Sequence, residues 1–322
     1  MNIGKHKLKH GLSLPAIAGF SDIGLRMLCK RFGADLTCTE MISAKGLIYE
    51  NEKTKALLAV HPTEDLVAVQ LFGSDPNIIA RAISLDILSR FDIIDLNFGC
   101  PARKIVQNGD GCAVMRDLKL LYAIVSSAVK AANTRPVTVK LRSGLSQNSV
   151  NAPDAAKVAE DAGAQAITIH GRTADTGYSG KCSLDIVASV KQSVSIPVIG
   201  NGDVVDQKSY QHMLKECNVD GVAIARAALG RPFIFSEVRG VATPTKEEAF
   251  NLVIEHFDEN LKVFPEHTVV REMKKQAVLY LKLIRGGKNF HQAIFSASTA
   301  DQFKEVLFYA KEKASICNFN AI

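Results

Sequence analysis

The sequence predicts an α/β protein: a (β/α)8 TIM barrel over residues 1–240, followed by a small C-terminal helical bundle over 241–322. Three observations carry that expectation. Short β-branched, apolar runs recur eight times with helix-length intervals between them, over the roughly 230 residues that such a barrel needs. No Gly-x-Gly-x-x-Gly turn follows any of these runs, which argues against a doubly wound dinucleotide-binding sheet. Beyond Gly240 the strand pattern stops and helical periodicity takes over.

The runs, in order, are Leu14 to Ala18, Leu36 to Glu40, Leu66 to Leu71 and Ile93 to Asn97. Val137 to Leu141, Ala166 to His170, Ile196 to Asn201 and Gly221 to Ala225 complete the set. The fourth reads as apolar on both faces, as parallel strands covered by helices tend to be. Helices are expected between them, for example over Leu118 to Ala132 and Asp154 to Ala162. The fourth run ends at Gly99-Cys100-Pro101, where Pro101 stops the ladder and restricts Cys100 to extended geometry. A loop with Arg103 and Lys104 follows, closing at Gly109-Asp110-Gly111 before a helical segment resumes near Val114. Past residue 240, Thr245 and Glu248 form a capping box. Breaks at Phe264-Pro265-Glu266, Gly286-Gly287 and Ser298-Thr299 then divide the remainder into three or four helices.

Polar residues gather at the carboxyl ends of the runs: Gln70, Asn97 with Cys100, Lys140 with Arg142, His170 with Arg172, Asn201 with Asp203, and Arg226. In a barrel that end carries the active site. Each residue alone has an ordinary structural explanation, and a lone cysteine is most often a small buried hydrophobe. Six coinciding at one end of successive strands make a site. A thiol at a strand's carboxyl end, beside a basic loop, reads as a proton donor facing a pocket that opens onto a polyanion. Gly200-Asn201-Gly202-Asp203 and Ala225-Arg226 occupy the place where barrels bind phosphate, with glycines letting backbone N–H groups approach and Arg226 adding a charge-assisted contact. A phosphorylated cofactor is therefore expected, with Lys140 a cation for an electron-rich ring.

Composition limits the class. Apolar residues make up 47% and charged residues 22% of 322, as in an ordinary globular chain. No apolar window is long enough to span a bilayer, and the charged first residues lack the apolar core of a signal peptide. Seven scattered cysteines with no CxxC pair fit reduced thiols rather than a disulfide framework or a zinc site, so a cytoplasmic protein without metal is expected. The net charge of +6 permits an acidic partner. In the second bundle helix Arg271, Lys274, Lys275, Lys282 and Arg285 lie mostly on one side; with Lys288, residues 271–288 set six cations against Glu272 alone, a net charge of +5. Such a stripe is either a solvated face or an RNA surface.

These motifs resemble the tRNA-dihydrouridine synthase family, and its bacterial B-type branch in particular. The resemblance runs through PAIAGFSD at 15–22, LTCTEM at 36–41, VAVQLFGSDP at 67–76 and DLNFGCPARKIV at 95–106. It continues through VKLRSG at 139–144, TIHGRT at 168–173, SIPVIGNGDV at 195–204 and AIARAALGRPFIF at 223–235. The Gly-Cys-Pro corner on an Asp-x-Asn strand is its most specific part. The resemblance implies FMN, NADPH as reductant, and reduction of a uridine in folded tRNA by a barrel with a helical RNA-binding domain. It places Pro15, Ala16 and Ile17 against the flavin, Gln70 on its ring, and Lys140 and His170 beside it. Asn201, Gly202, Asp203, Ala225 and Arg226 would hold the phosphate, Asn97 would meet the uracil, and Cys100 would be the acid. Arg103, Lys104, Arg142 and Arg172 are assigned to the substrate side with Arg271, Lys274, Lys275 and Lys282. Two positions depart from the pattern: PAI stands where many members read APM, and Ala225-Arg226 stands for Gly-Arg. Cys112, a second thiol near the first, is assigned a structural role.

Uracil's C5=C6 bond is polarised, so C6 takes a hydride and C5 a proton, the latter from a donor that is neutral at working pH. The base must be extruded from the RNA to be reached. Two rival readings remain open: an FMN enzyme of the dihydroorotate or dihydropyrimidine dehydrogenase type acting on a free pyrimidine, and a non-catalytic RNA-binding or regulatory protein. The chain is expected to act as a monomer.

Overall fold

A computed structural model describes residues 1–316, so Cys317 lies outside the described residues. Eight parallel strands close into a barrel: β1 (Leu12–Leu14), β2 (Leu36–Ser43), β3 (Val67–Phe72), β4 (Ile93–Phe98), β5 (Val137–Arg142), β6 (Ala166–His170), β7 (Val198–Asn201) and β8 (Gly221–Ala223), with β8 returning to β1. Helices cover the outside. That over Leu118–Ala132 starts where Asp117 accepts the backbone N–H groups of Lys119 and Leu120, as an N-cap should.

Several boundaries differ from the expectation, each for a local reason. The first strand is Leu12–Leu14, not 14–18, because Pro15 has no N–H to donate to the ladder. Residues 15–18 instead run over the barrel mouth and turn where Phe20 and Ser21 donate their N–H groups to the Ile17 carbonyl. Strand β2 extends to Ser43, with an irregularity between Cys38 and Met41 that shifts its register against β3. Strand β8 stops at Ala223, and the chain enters a 3-10 turn at Arg226–Ala228. Arg103 and Lys104 lie on a short helix, Arg103–Gln107, rather than in an open loop.

An N-terminal hairpin, Asn2–Ile3 paired with His6–Lys7, closes the barrel's bottom. Ile3 and Leu8 there pack with Leu36, Ala68, Ile93, Ala166, Ile199 and Ala223, low in the barrel interior.

The helices Lys246–Leu261, Glu266–Tyr280, His291–Ser296 and Ala300–Ile316 follow the barrel. Thr245 and Glu248 make the capping box reciprocally. Their core includes stacked Phe257 and Phe303, 4.6 Å between centroids, and takes in Leu28 and Phe233 from the barrel side. The two parts are fastened at the helix Ile23–Arg31. His256 bonds Asp22 at 2.7 Å, Gln276 donates to the Phe20 carbonyl at 2.9 Å, and the Gly24 N–H donates to Asn260 at 2.9 Å. A Cβ at position 24 would stand 2.3 Å from the His256 ring, so only glycine permits this approach.

Candidate active site

An open cleft of about 760 Å³ lies at the carboxyl ends of the strands. Pro15, Ala16 and Ile17 line one side; Gln70, Asn97, Cys100, Lys140, Arg142 and His170 come from the middle strands; Asn201, Gly202, Asp203, Ala225 and Arg226 close the far side. Alternation explains the convergence. Gln70, Asn97, Lys140, His170 and Asn201 take interior positions at or near the ends of their strands, and adjacent ladders place Asn97 opposite Lys140 and His170 opposite Asn201.

Cys100 is held by its own strand. The Asn97 side-chain oxygen accepts the N–H groups of Gly99 at 3.0 Å and Cys100 at 2.9 Å. On the other side the Cys100 carbonyl accepts the Cys112 N–H at 3.1 Å. Gly111, with φ of +60°, lets that loop pass so close: a Cβ there would meet the Cys100 carbonyl at 2.7 Å. Cys112 itself is 1% exposed, lies outside the cleft, and burial pushes its thiol up. Of the two thiols, only Cys100 reaches the cleft.

The cleft is electropositive. Burial, reinforced by Lys140, Arg142, Arg172 and Arg226, pushes His170 down to about 2, so its imidazole stays neutral. Burial and Arg142 lower Lys140 to about 8, which leaves it mainly protonated at neutral pH. Its ammonium reaches the Asn201 side chain at 3.4 Å. Burial opposes ionisation of Asp203, but the Cys182 N–H and the guanidinium groups of Arg172 and Arg226 outweigh it and hold the carboxyl below its usual range. The backbone turns sharply here, with φ of +131° at Gly202 and +54° at Asp203.

Not every residue assigned to substrate reaches the cleft. Arg172 is 4% exposed and lies behind the wall, donating to the carbonyls of Ser179 and Gly180 and to Asp203 at 2.8 Å. A guanidinium so committed fixes the loop after β6. Arg142 lines the cleft but donates to the carbonyls of Gly99, Thr173 and Gly177. Arg103 and Lys104 are exposed on their helix, outside the cleft lining. On the bundle, Arg271 and Lys275 both pair with Glu272, at 3.0 and 2.6 Å, and Lys274 donates to the Phe295 carbonyl; Lys282 is exposed.

Three residues carry weight that the sequence did not disclose. Tyr178, 63% exposed on the loop after β6, lies under the guanidinium groups of Arg226 at 4.9 Å and Arg142 at 5.8 Å. A lone tyrosine in a loop carries no signal of this. Asp95 and Thr138 lie beneath the cleft, hydrogen-bonded to one another at 2.6 Å. Asp95 had a readable cue: it precedes Asn97 by two, so both face the barrel interior.

A profile described as dihydrouridine synthase matches residues 14–315. The chain belongs to the dihydrouridine synthase family. It is similar to tRNA-dihydrouridine synthase B of Pasteurella multocida (strain Pm70), 34% identical over 306 residues, which cover 93% of this chain and 92% of that protein. It is also similar to a probable tRNA-dihydrouridine synthase of Rickettsia conorii, 36% identical over 302 residues and covering 91% of each. In fold it resembles the 6-hydroxypseudooxynicotine amine oxidase of Pseudomonas geniculata N1, with a TM-score of 0.59 at 15% identity over 74% of this chain and 48% of that one. As a dihydrouridine synthase family member the chain is aligned through both the barrel and the bundle, so the helices after residue 240 belong to the shared unit.

Proposed function

We propose that this protein reduces the C5=C6 bond of uridines in tRNA to 5,6-dihydrouridine, using bound FMN and NADPH as reductant. The observation that carries the reading is the presentation of Cys100 by Asn97 at the wall of an open, cation-lined cleft. Family membership over nearly the whole chain supports it. A monomer acting in the cytoplasm belongs to the same reading; no helix among the described residues is long and apolar enough to cross a membrane.

The donor set fits a flavin mononucleotide. The turn at Gly202 and Asp203, with Arg226 beside it, suits a phosphate. The apolar strip Pro15–Ile17 suits one face of a flat ring, and Lys140 suits its electron-rich edge. Asp203 would serve the phosphate indirectly: a carboxylate repels phosphate, so its part is to hold Arg226, whose guanidinium stands 3.4 Å away. The bound flavin would supply the hydride for C6.

This chain's own residues do the rest. Asn97 holds the corner on which Cys100 stands, and Cys100 gives its proton to C5 as C6 is reduced. General-acid assistance of this kind contributes about 10²–10⁴-fold. The neutral His170 offers a hydrogen bond but no proton. Arg226 and Tyr178 stand at the rim, where they narrow the entry for an extruded base. The bundle cations hold the RNA backbone through phosphate contacts, with Arg103 and Lys104 as nearer candidates on the barrel.

The test is the purified protein with unmodified tRNA. It is expected to carry an FMN spectrum, to oxidise NADPH, and to form dihydrouridine in tRNA while leaving uracil and orotate unchanged. Turnover of a free pyrimidine with none on tRNA would replace this reading with the free-pyrimidine one. Protein that binds tRNA but no flavin would replace it with the non-catalytic one.

A further inference from the structure

We propose that Asp95 is a positioning residue for the reduction: through Gln70 and Asn97 its carboxylate fixes the corner that carries Cys100. The role in turnover rests on the function proposed above; the geometry does not.

Asp95 sits in β4 between two ladder neighbours, Gln70 of β3 and Thr138 of β5. Both donate to it. The Gln70 amide nitrogen reaches one carboxylate oxygen at 2.6 Å and the Thr138 hydroxyl reaches the other at 2.6 Å. The Gln70 carbonyl then accepts from the Asn97 amide nitrogen at 2.6 Å. The Asn97 carbonyl in turn accepts the N–H groups of Gly99 and Cys100. The result is one relay from a buried charge to the backbone of the thiol's own residue, and all four side chains in it are at most 7% exposed.

Its direction is fixed at both ends. An ionised carboxylate only accepts, so Gln70 must turn its nitrogen toward Asp95. A pair of backbone N–H groups only donates, so Asn97 must turn its oxygen toward Cys100. Gln70 and Asn97 then meet donor to acceptor with no alternative. A neutral group at position 95 removes the charge-assisted bond that holds the first amide, and charge-assisted bonds are about twice as strong as neutral ones. Gln70 also keeps a second N–H for the cleft, and its aim is set by the same bond.

The relay is sensitive to pH in a defined window. Burial pushes Asp95 up to about 6, against the opposing hydrogen bonds from Thr138 and Gln70 and the charge of Lys140. The other titratable groups facing it are Lys140 on β5, lowered to about 8, and Cys38 on β2, raised well above its usual value. Neither changes charge appreciably between pH 5 and 7. Asp95 does, so within that range neutralising it by protonation and by mutation should have the same effect.

The experiment compares Asp95→Asn with wild-type protein at pH 7 and pH 5. The first readout, which needs no RNA, is the rate of Cys100 alkylation by iodoacetamide, followed by peptide mass spectrometry. The variant-to-wild-type ratio is expected to differ from one by about fivefold at pH 7, the scale of one hydrogen-bond increment, and to return toward one at pH 5. Thr138→Val, which removes one donor to the carboxylate and so raises its pKa, should move the wild-type transition to higher pH; it also serves if Asp95→Asn fails to fold. A merely structural role gives a ratio independent of pH, and that result overturns the inference. The second readout is reoxidation of the reduced flavoprotein by unmodified tRNA, with the same convergence at pH 5 expected. If alkylation behaves as expected but no RNA reoxidises the wild-type flavin, the positioning role stands and the proposed function fails.

Discussion

The two ends of the barrel are built from the same strands and do opposite work. At the bottom, Ile93, Ala166 and Ile199 meet Ile3 and Leu8 of the hairpin in an apolar plug. At the mouth, a few residues further along those strands, Asn97, His170 and Asn201 line a cleft that holds a crowd of cations. Two to four residues separate a position that serves only burial from one that lines the cleft. Conditions at the mouth are costly: it keeps Lys140 and His170 well below their usual pKa values, and just beneath it Asp95 is held above its own. The bottom offsets that cost with buried apolar surface.

The sharpest way to separate the ends is Cys100→Ala. Dihydrouridine formation should fall by about 10²–10⁴-fold, with the thermal midpoint and flavin content unchanged; a Cys112→Ala variant that dies while Cys100→Ala turns over normally would reverse the assignment. The complementary change is Ile93→Ala at the bottom. Removing that fully buried side chain should destabilise by about 2–5 kcal/mol in urea unfolding, with flavin affinity unaltered; a flavin defect at constant stability would break the separation.

Asp95→Asn tests the boundary between the ends. The folded pKa of about 6 lies above the usual 3.8, so the native state gains from protonating this group. That contribution is fully present below pH 3.8 and is lost as pH rises through 6. At pH 8 the wild type therefore bears a cost of about 3 kcal/mol, at about 1.4 kcal/mol per pKa unit. The variant is expected to unfold at higher urea than wild type at pH 8, with the gap closing toward pH 4. A gap that widens as pH falls would contradict the sign.

Arg226→Ala should cost less, because its side chain is 49% exposed. Flavin affinity should drop by about tenfold, the lower range for a hydrogen bond to a charged group, as read by the FMN retained on gel filtration. The smallest effect is expected on the bundle. Replacing Lys274, Lys275 and Lys282 together with Ala should raise the Kd for tRNA and lower the log–log salt slope by ~0.7–0.9 for each phosphate no longer neutralised. Since Lys275 is already paired with Glu272 and Lys274 with a carbonyl, Lys282 should dominate; an unchanged slope would turn attention to Arg103 and Lys104.

What was legible in the sequence follows the same division. Strand periodicity and polar endings disclosed the barrel and the membership of its mouth, because both are local. The hydrogen-bond directions were not local. Arg172 reads like Arg226, a cation just after a strand, yet one is spent on backbone carbonyls behind the wall and the other faces the cleft. Only the path of the loop through Ser179 and Gly180 decides between them. Pro15 shows the reverse case, where a residue-level rule was available and would have ended the first strand at Leu14.

The fastening at Gly24 has a consequence for engineering and for inheritance. The barrel cannot be cut out near residue 240 as a clean module. Such a truncation would strip His256 and Gln276 from Asp22, bare Leu28 and Phe233 to water, and release the Phe20 carbonyl at the edge of the cleft. A chimera that joins this barrel to a foreign bundle would have to bring a histidine and an asparagine to the same spots over Gly24. The bundle and the barrel are thus constrained to change together, one shared seam limiting what either can become.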